Sequence, residues 1–169
     1  LWGFNKSINE LGFRSIGNQA SLHSVLDPDG KCRVRISFKE GIYPFAWIPN
    51  LEYNIVVTEQ EFPGYQEYLP EEINALKKFV RNGGGLLIQC GPDFSLSANA
   101  KKPSLEKLIE TFDATFANET DTFNQNKYAT FITDKKWEIV RHGDYGKVIE
   151  ARRTFGDGRV MLVGAMNTL

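Results

Sequence analysis

The stretch LPEEINALKKFVRNGGGLLIQCGPD, from Leu69 to Asp93, constrains the fold of this chain more than any other. Pro70 suits the first turn of a helix, where its missing N–H costs nothing, and Glu71 and Glu72 complement the positive helix end. Ile73, Leu76 and Val80 recur at helical spacing and give one apolar face. Gly83, Gly84 and Gly85 stop that helix and let the backbone reverse tightly. Leu86, Leu87 and Ile88 then predict a strand buried on both faces, broken by Cys90-Gly91-Pro92. A helix feeding a buried strand is half of a βαβ unit. In open α/β sheets the functional crevice lies at the carboxyl ends of such strands, and Cys90 falls at that place.

Other segments fit around this unit. Ile55-Val56-Val57 and Val160-Met161-Leu162-Val163 are two more short apolar runs. Strands at about 53–58, 85–90 and 159–164 are therefore expected to lie parallel in one sheet, with a helix at about 70–82 on its face. Asp27-Pro28-Asp29-Gly30 is a turn sequence. The alternation of Cys32, Val34, Ile36 and Phe38 beside it predicts an antiparallel hairpin over 21–38, with Cys32 as a small core hydrophobe. Pro103, Leu105, Leu108 and Ile109 predict a second helix, with a weak strand at 114–116 after it and a polar surface excursion over 118–127. Gly156-Asp157-Gly158 predicts a tight turn joining a strand pair.

The 169 residues suffice for one domain with a real core, and 41% hydrophobic with 24% charged residues is ordinary for a globular chain. A net charge of −1 without a basic block gives no electrostatic support for a nucleic-acid partner, and no apolar run is long enough for a membrane span. Two cysteines far apart, Cys32 and Cys90, make no disulfide framework. No His/Cys cluster has metal-ligand spacing, and the glycine run precedes a strand instead of opening a helix, so neither a metal nor a phosphate-bearing cofactor is expected. The start at Leu1 suggests an excised piece of a larger protein or a processed product.

Two motifs carry a family resemblance. ALKKFVRNGGGLLIQCG resembles the segment before the nucleophile elbow in domains similar to class I glutamine amidotransferases, and TFGDGRVMLVGAMNTL resembles the terminal strand of that superfamily's divergent members, with Asn167 in the following loop. The resemblance implies a single domain over 1–169, built as a three-layer α/β/α sandwich with a mostly parallel flavodoxin-like sheet, to which the hairpin is an insertion. It also implies an accessory place in carbohydrate- or peptide-processing proteins, and favours a secreted or periplasmic setting. The family's nucleophile matches Cys90, but its pattern Gly-x-Cys-x-Gly is here Ile88-Gln89-Cys90-Gly91-Pro92. The family's His and Glu belong in the region of Ala165 to Asn167, where this chain has neither.

The candidate residues follow. Cys90 is either a nucleophile or a structural thiol, and Glu59, ending a strand at the same crevice, is either a carboxylate that orients Cys90 or a solvated acid. Tyr43 and Trp47, in an aromatic and proline-rich segment, either stack on a ligand such as a sugar ring or pack against the sheet. Arg152 and Arg153 fall on opposite faces of a strand, which works against an anion patch. His23 and His142 are expected away from Cys90. The expected function is a non-catalytic scaffold or binding module contacting neighbouring domains, or a carbohydrate or protein ligand. The alternative is a cysteine-dependent hydrolase or amidase using Cys90.

Overall fold

The computed structural model describes residues 2–5, 39–40, 55–60, 68–96 and 104–165, with side chains over 68–96 and 105–165. The hairpin expected over 21–38, Cys32, His23, Tyr43, Trp47 and Asn167 lie outside them.

Helix α1 spans Pro70–Arg81, and its start is closed by Glu72, whose carboxylate accepts the Leu69 N–H at 2.8 Å. Ile73, Leu76, Phe79 and Val80 are buried. The helix ends in paired bonds: Gly83 N–H donates to the Val80 carbonyl and Gly84 N–H to that of Phe79, both at 3.0 Å, around a left-handed Gly83 with φ 104°. Gly84 is fixed by packing, since a Cβ there would fall 2.3 Å from the Phe79 ring.

Nine strands among the described residues form one sheet. Its first part is parallel: β1 (Trp2–Asn5) lies between β2 (Lys39–Glu40) and β3 (Ile55–Gln60), and β3 is followed by β4 (Gly85–Cys90). β4 then pairs with β9 (Gly158–Val163), also parallel. The three apolar runs expected to lie parallel do so, and Leu86, Ile88, Val160 and Leu162 share one core with α1. Helix α2 (Ser104–Glu110) adds Leu105, Leu108 and Ile109 to it.

The three-layer α/β/α expectation is corrected by the C-terminal half. A doubly wound sandwich needs a helix between successive parallel strands. From Ala114 to Val163 the chain instead runs through five strands and no helix: β5 (Ala114–Phe123), β6 (Asn126–Thr133), β7 (Glu138–His142), β8 (Val148–Phe155) and β9. Every pairing within this half is antiparallel. The sheet is mixed and strongly curled, a half-barrel, neither mostly parallel nor flavodoxin-like. Val148 shows how the curl arises. It pairs with His142 of β7 and with Phe131 of β6, one on each edge of β8, so β6 takes over the edge that β9 leaves. The Ala129 N–H then donates to the Gly164 carbonyl at 2.6 Å.

The predicted Gly156-Asp157-Gly158 turn joins β8 to β9, and it has a second role. Asp157 N–H donates to the Arg81 carbonyl at 3.1 Å, so the turn caps the C-terminal end of α1, and Arg159 N–H, donating to the Gly84 carbonyl at 3.1 Å, opens the β4–β9 pairing beside it. Gly156 has φ 62°, and a Cβ on Gly158 would fall 2.0 Å from the Val80 oxygen and 2.3 Å from that of Gly84. Gly158→Ala is therefore expected to lower unfolding stability by about 3 kcal/mol, read by urea denaturation. A change below about 0.5 kcal/mol, as at an ordinary surface position, would show that the contact is not needed.

Candidate functional site

Cys90 ends β4 at the carboxyl edge of the parallel strands, as expected. Its side chain is fully buried, and its thiol donates to the Val163 carbonyl at 3.6 Å. Burial raises the thiol far above its ordinary value, because a thiolate there would lose its hydration without gaining a cation.

The segment after the strand, expected to be a loop, contributes Phe94 to the same buried core as Cys90. Pro92–Leu96 winds into a 3-10 turn that lies against β5 and β6. Phe94 stacks on Phe116 with ring centroids 5.4 Å apart, and Phe116 meets Phe131 at 5.5 Å. Next to them β5 carries a bulge: Phe116 pairs with Phe131 and Thr120 with Ala129, so residues 117–119 stand against Thr130 alone. Thr130 loses its ladder partner there, and the Ser95 hydroxyl replaces it. It accepts from Thr130 N–H at 2.8 Å and donates to the Thr130 carbonyl at 3.3 Å. The segment leaving the carboxyl end of β4 is thus tied to the β5–β6 hairpin.

The register also places Glu59. It pairs with Gln89, while Gln60 stands opposite Cys90. Successive residues of a strand alternate faces, so Glu59 belongs to the row Asn5, Glu59, Gln89 and not to the row of the thiol. Gln89 itself is buried, at 3% exposure. His142 lies on β7, exposed, with Nδ1 3.0 Å from the Gly146 carbonyl oxygen. Among the described residues no group of His, Cys, Asp or Glu is placed to hold a metal ion. No helix among them is long and apolar enough to cross a membrane.

The two arginines separate as alternation requires. Arg152 is exposed and pairs with Glu138 at 2.6 and 2.9 Å. Arg153 is buried and bonds the Phe112 carbonyl and, at 2.9 Å, the Asp113 carboxylate. Its guanidinium lies 5.6 Å from the Trp137 ring centroid and 5.5 Å from that of Phe155. It serves the turn after α2, where Trp137 Nε1–H also reaches the Phe112 carbonyl, at 3.0 Å.

One residue of consequence gave no signal in sequence. Asp121, in the polar run expected to be a surface excursion, is buried and accepts three backbone N–H groups: Thr122 at 2.6 Å, Lys147 at 2.9 Å and Tyr145 at 3.1 Å. It anchors the loop between β7 and β8, and a Cβ on Gly143 would strike its carboxyl carbon at 2.3 Å. Asp144 N–H donates to the Thr122 carbonyl at 2.7 Å, and its carboxylate accepts the Thr122 hydroxyl at 2.8 Å. The loop thereby covers the edge of β5.

No protein-family model and no curated protein matches this sequence. Solved structures are similar in fold. The N-terminal domain of mmIFT52 matches with a TM-score of 0.68 at 14% identity, over 98% of this chain and 86% of that one. Cytoplasmic protein STM1381 from Salmonella typhimurium LT2 matches at 0.61 and 13% identity, over 97% and 86%. Exo-beta-1,4-mannosidase Op5Man5 from Opitutaceae bacterium strain TAV5 matches at 0.57 and 14% identity, over 98% of this chain but 31% of that one. These neighbours, with the mixed curled sheet, overturn the amidotransferase and flavodoxin-like resemblance. Its two motifs are the two sides of one packing contact, the end of α1 and the turn that caps it.

Asp121 yields a pH prediction. Burial raises its carboxyl, but the amides of Lys147, Tyr145 and Thr122 outweigh this and hold it below the usual carboxylate value. A depressed native value stabilises the fold above the unfolded pKa, and the gain is lost as pH falls through the native one. Asp121→Asn is therefore expected to cost about 2 kcal/mol at neutral pH. In denaturant titrations its deficit against the unsubstituted protein should shrink only below about pH 4. A deficit independent of pH would show that shape, not charge, holds the loop.

Proposed function

We propose that this chain is a non-catalytic scaffold or binding module of a larger, multidomain protein. The observation that carries this reading is the complete burial of Cys90 at the end of β4, with its thiol bonded to a backbone carbonyl and its proton held by burial. A cysteine nucleophile needs a thiolate, an accessible sulfur and a base within hydrogen-bond reach. The surroundings of Cys90 favour the opposite on the first two counts. The coverage of similar structures is compatible with a modular role: the chain spans most of one protein's N-terminal domain and under a third of a mannosidase. The partners would be neighbouring domains, or a carbohydrate or protein ligand. Tyr43 and Trp47 remain the proposed contacts for a sugar.

Two measurements test this. Iodoacetamide at neutral pH should leave Cys90 unmodified in the folded protein and label it promptly after unfolding, as mapped by mass spectrometry. In the parent protein, Cys90→Ala should preserve turnover, whereas deleting the domain should change its assembly, read by light scattering. Rapid native labelling together with loss of turnover in Cys90→Ala would establish the hydrolase reading instead.

A further inference from the structure

The end of α1 holds the one Asn–Gly pair in the sequence, Asn82–Gly83, and both residues are exposed. An Asn–Gly pair carries its own reaction. The Gly nitrogen attacks the Asn side-chain carbonyl carbon, the N–C bond closes a five-membered imide, and the side-chain nitrogen leaves as ammonia with the proton from the attacking amide. Water then opens either C–N bond of the imide, leaving aspartate or isoaspartate at the position. Glycine permits this because no side chain hinders its nitrogen, and a Cβ on Gly83 would have no neighbour within 4 Å.

The cap opposes each requirement of that step. The Gly83 N–H donates to the Val80 carbonyl at 3.0 Å, so the nitrogen is neither free nor easily deprotonated. Asn82 has φ −90° and ψ 16°, near-helical values that turn the Gly83 nitrogen away from the Cβ side, where the carbonyl carbon lies. Gly84 N–H on Phe79, and Asp157 N–H on Arg81, hold the same turn from both sides.

We infer that Asn82–Gly83 is a latent self-modification site, kept closed by the C-terminal cap of α1 and released when the cap opens. The reaction would be one-way. Isoaspartate adds a backbone carbon inside the paired cap, and either product puts a negative charge at the negative end of the helix. Isoaspartate keeps the bonds from Gly83, Gly84 and Asp157 from re-forming as before, while aspartate keeps the backbone and adds its charge beside the helix-end carbonyls, so each opening event that reacts leaves a permanent mark on the turn between α1 and β4.

The test incubates the whole chain at neutral pH, folded and in denaturant, and follows position 82 by peptide mapping for the one-dalton gain and for isoaspartate. The folded protein should react more slowly than the denatured chain by about tenfold or more. Gly84→Ala keeps the Asn–Gly pair but drives a Cβ into the Phe79 ring, so under native conditions it should react faster than the unsubstituted protein. Equal rates in folded and denatured chains, or no reaction at position 82 in the denatured chain, would overturn the inference.

Discussion

Thr130 sets the problem around which the C-terminal half is built. Three residues of β5 stand against it, so its backbone N–H and carbonyl leave the ladder in the middle of a buried sheet. Unpaired, two such groups would cost about 1–3 kcal/mol each. The Ser95 hydroxyl satisfies both, and Ser95 can do so only if the chain after β4 turns back across the strand ends. That return places Phe94 on Phe116, in the core that also holds Cys90. The bulge and the turn are one arrangement.

The other junction is the end of α1. Helix C-termini leave carbonyls without partners, and here the turn between β8 and β9 supplies the Asp157 N–H to the Arg81 carbonyl, while Arg159 N–H beside it takes the Gly84 carbonyl at the start of the β4–β9 pairing. A single contact thereby ties the helix, the parallel strands and the antiparallel half together. It also accounts for the glycines of both sequence motifs, since Gly84 and Gly158 sit where a Cβ would meet a ring or a carbonyl. Glycine-rich signatures of this kind report close approach, which chemistry and packing can each demand.

Sequence alone captured what is local. Helix α1, its glycine stop, β4 and the Gly156–Gly158 turn carry strong near-neighbour signals, and the parallel placement of β3, β4 and β9 followed from them. The β5–β6 hairpin was hidden. Its turn is Asn124–Gln125, with φ 50° and 66° and no glycine, and its buried positions include Asp121 and Thr130, which break the apolar alternation of a half-buried strand. Asp121 resembles any surface acid until the loop at 143–147 is folded onto it. The resemblance to amidotransferases went astray for a related reason: the glycines of its two motifs serve the contact between the end of α1 and the β8–β9 turn, and neither motif reports the antiparallel strands between them.

A closed, buried end of β4 requires the 92–96 turn to stay docked on the β5–β6 hairpin, and amide hydrogen exchange at Thr130 tests that docking most directly. Its N–H has Ser95 Oγ as acceptor in place of a strand partner. If Ser95 pins the 92–96 turn to β6, this amide should be protected nearly as well as those in the centre of β4, and Ser95→Ala should abolish that protection. Exchange at the rate of an unstructured chain in the unsubstituted protein would contradict the account, and would reopen Cys90 as a reactive residue.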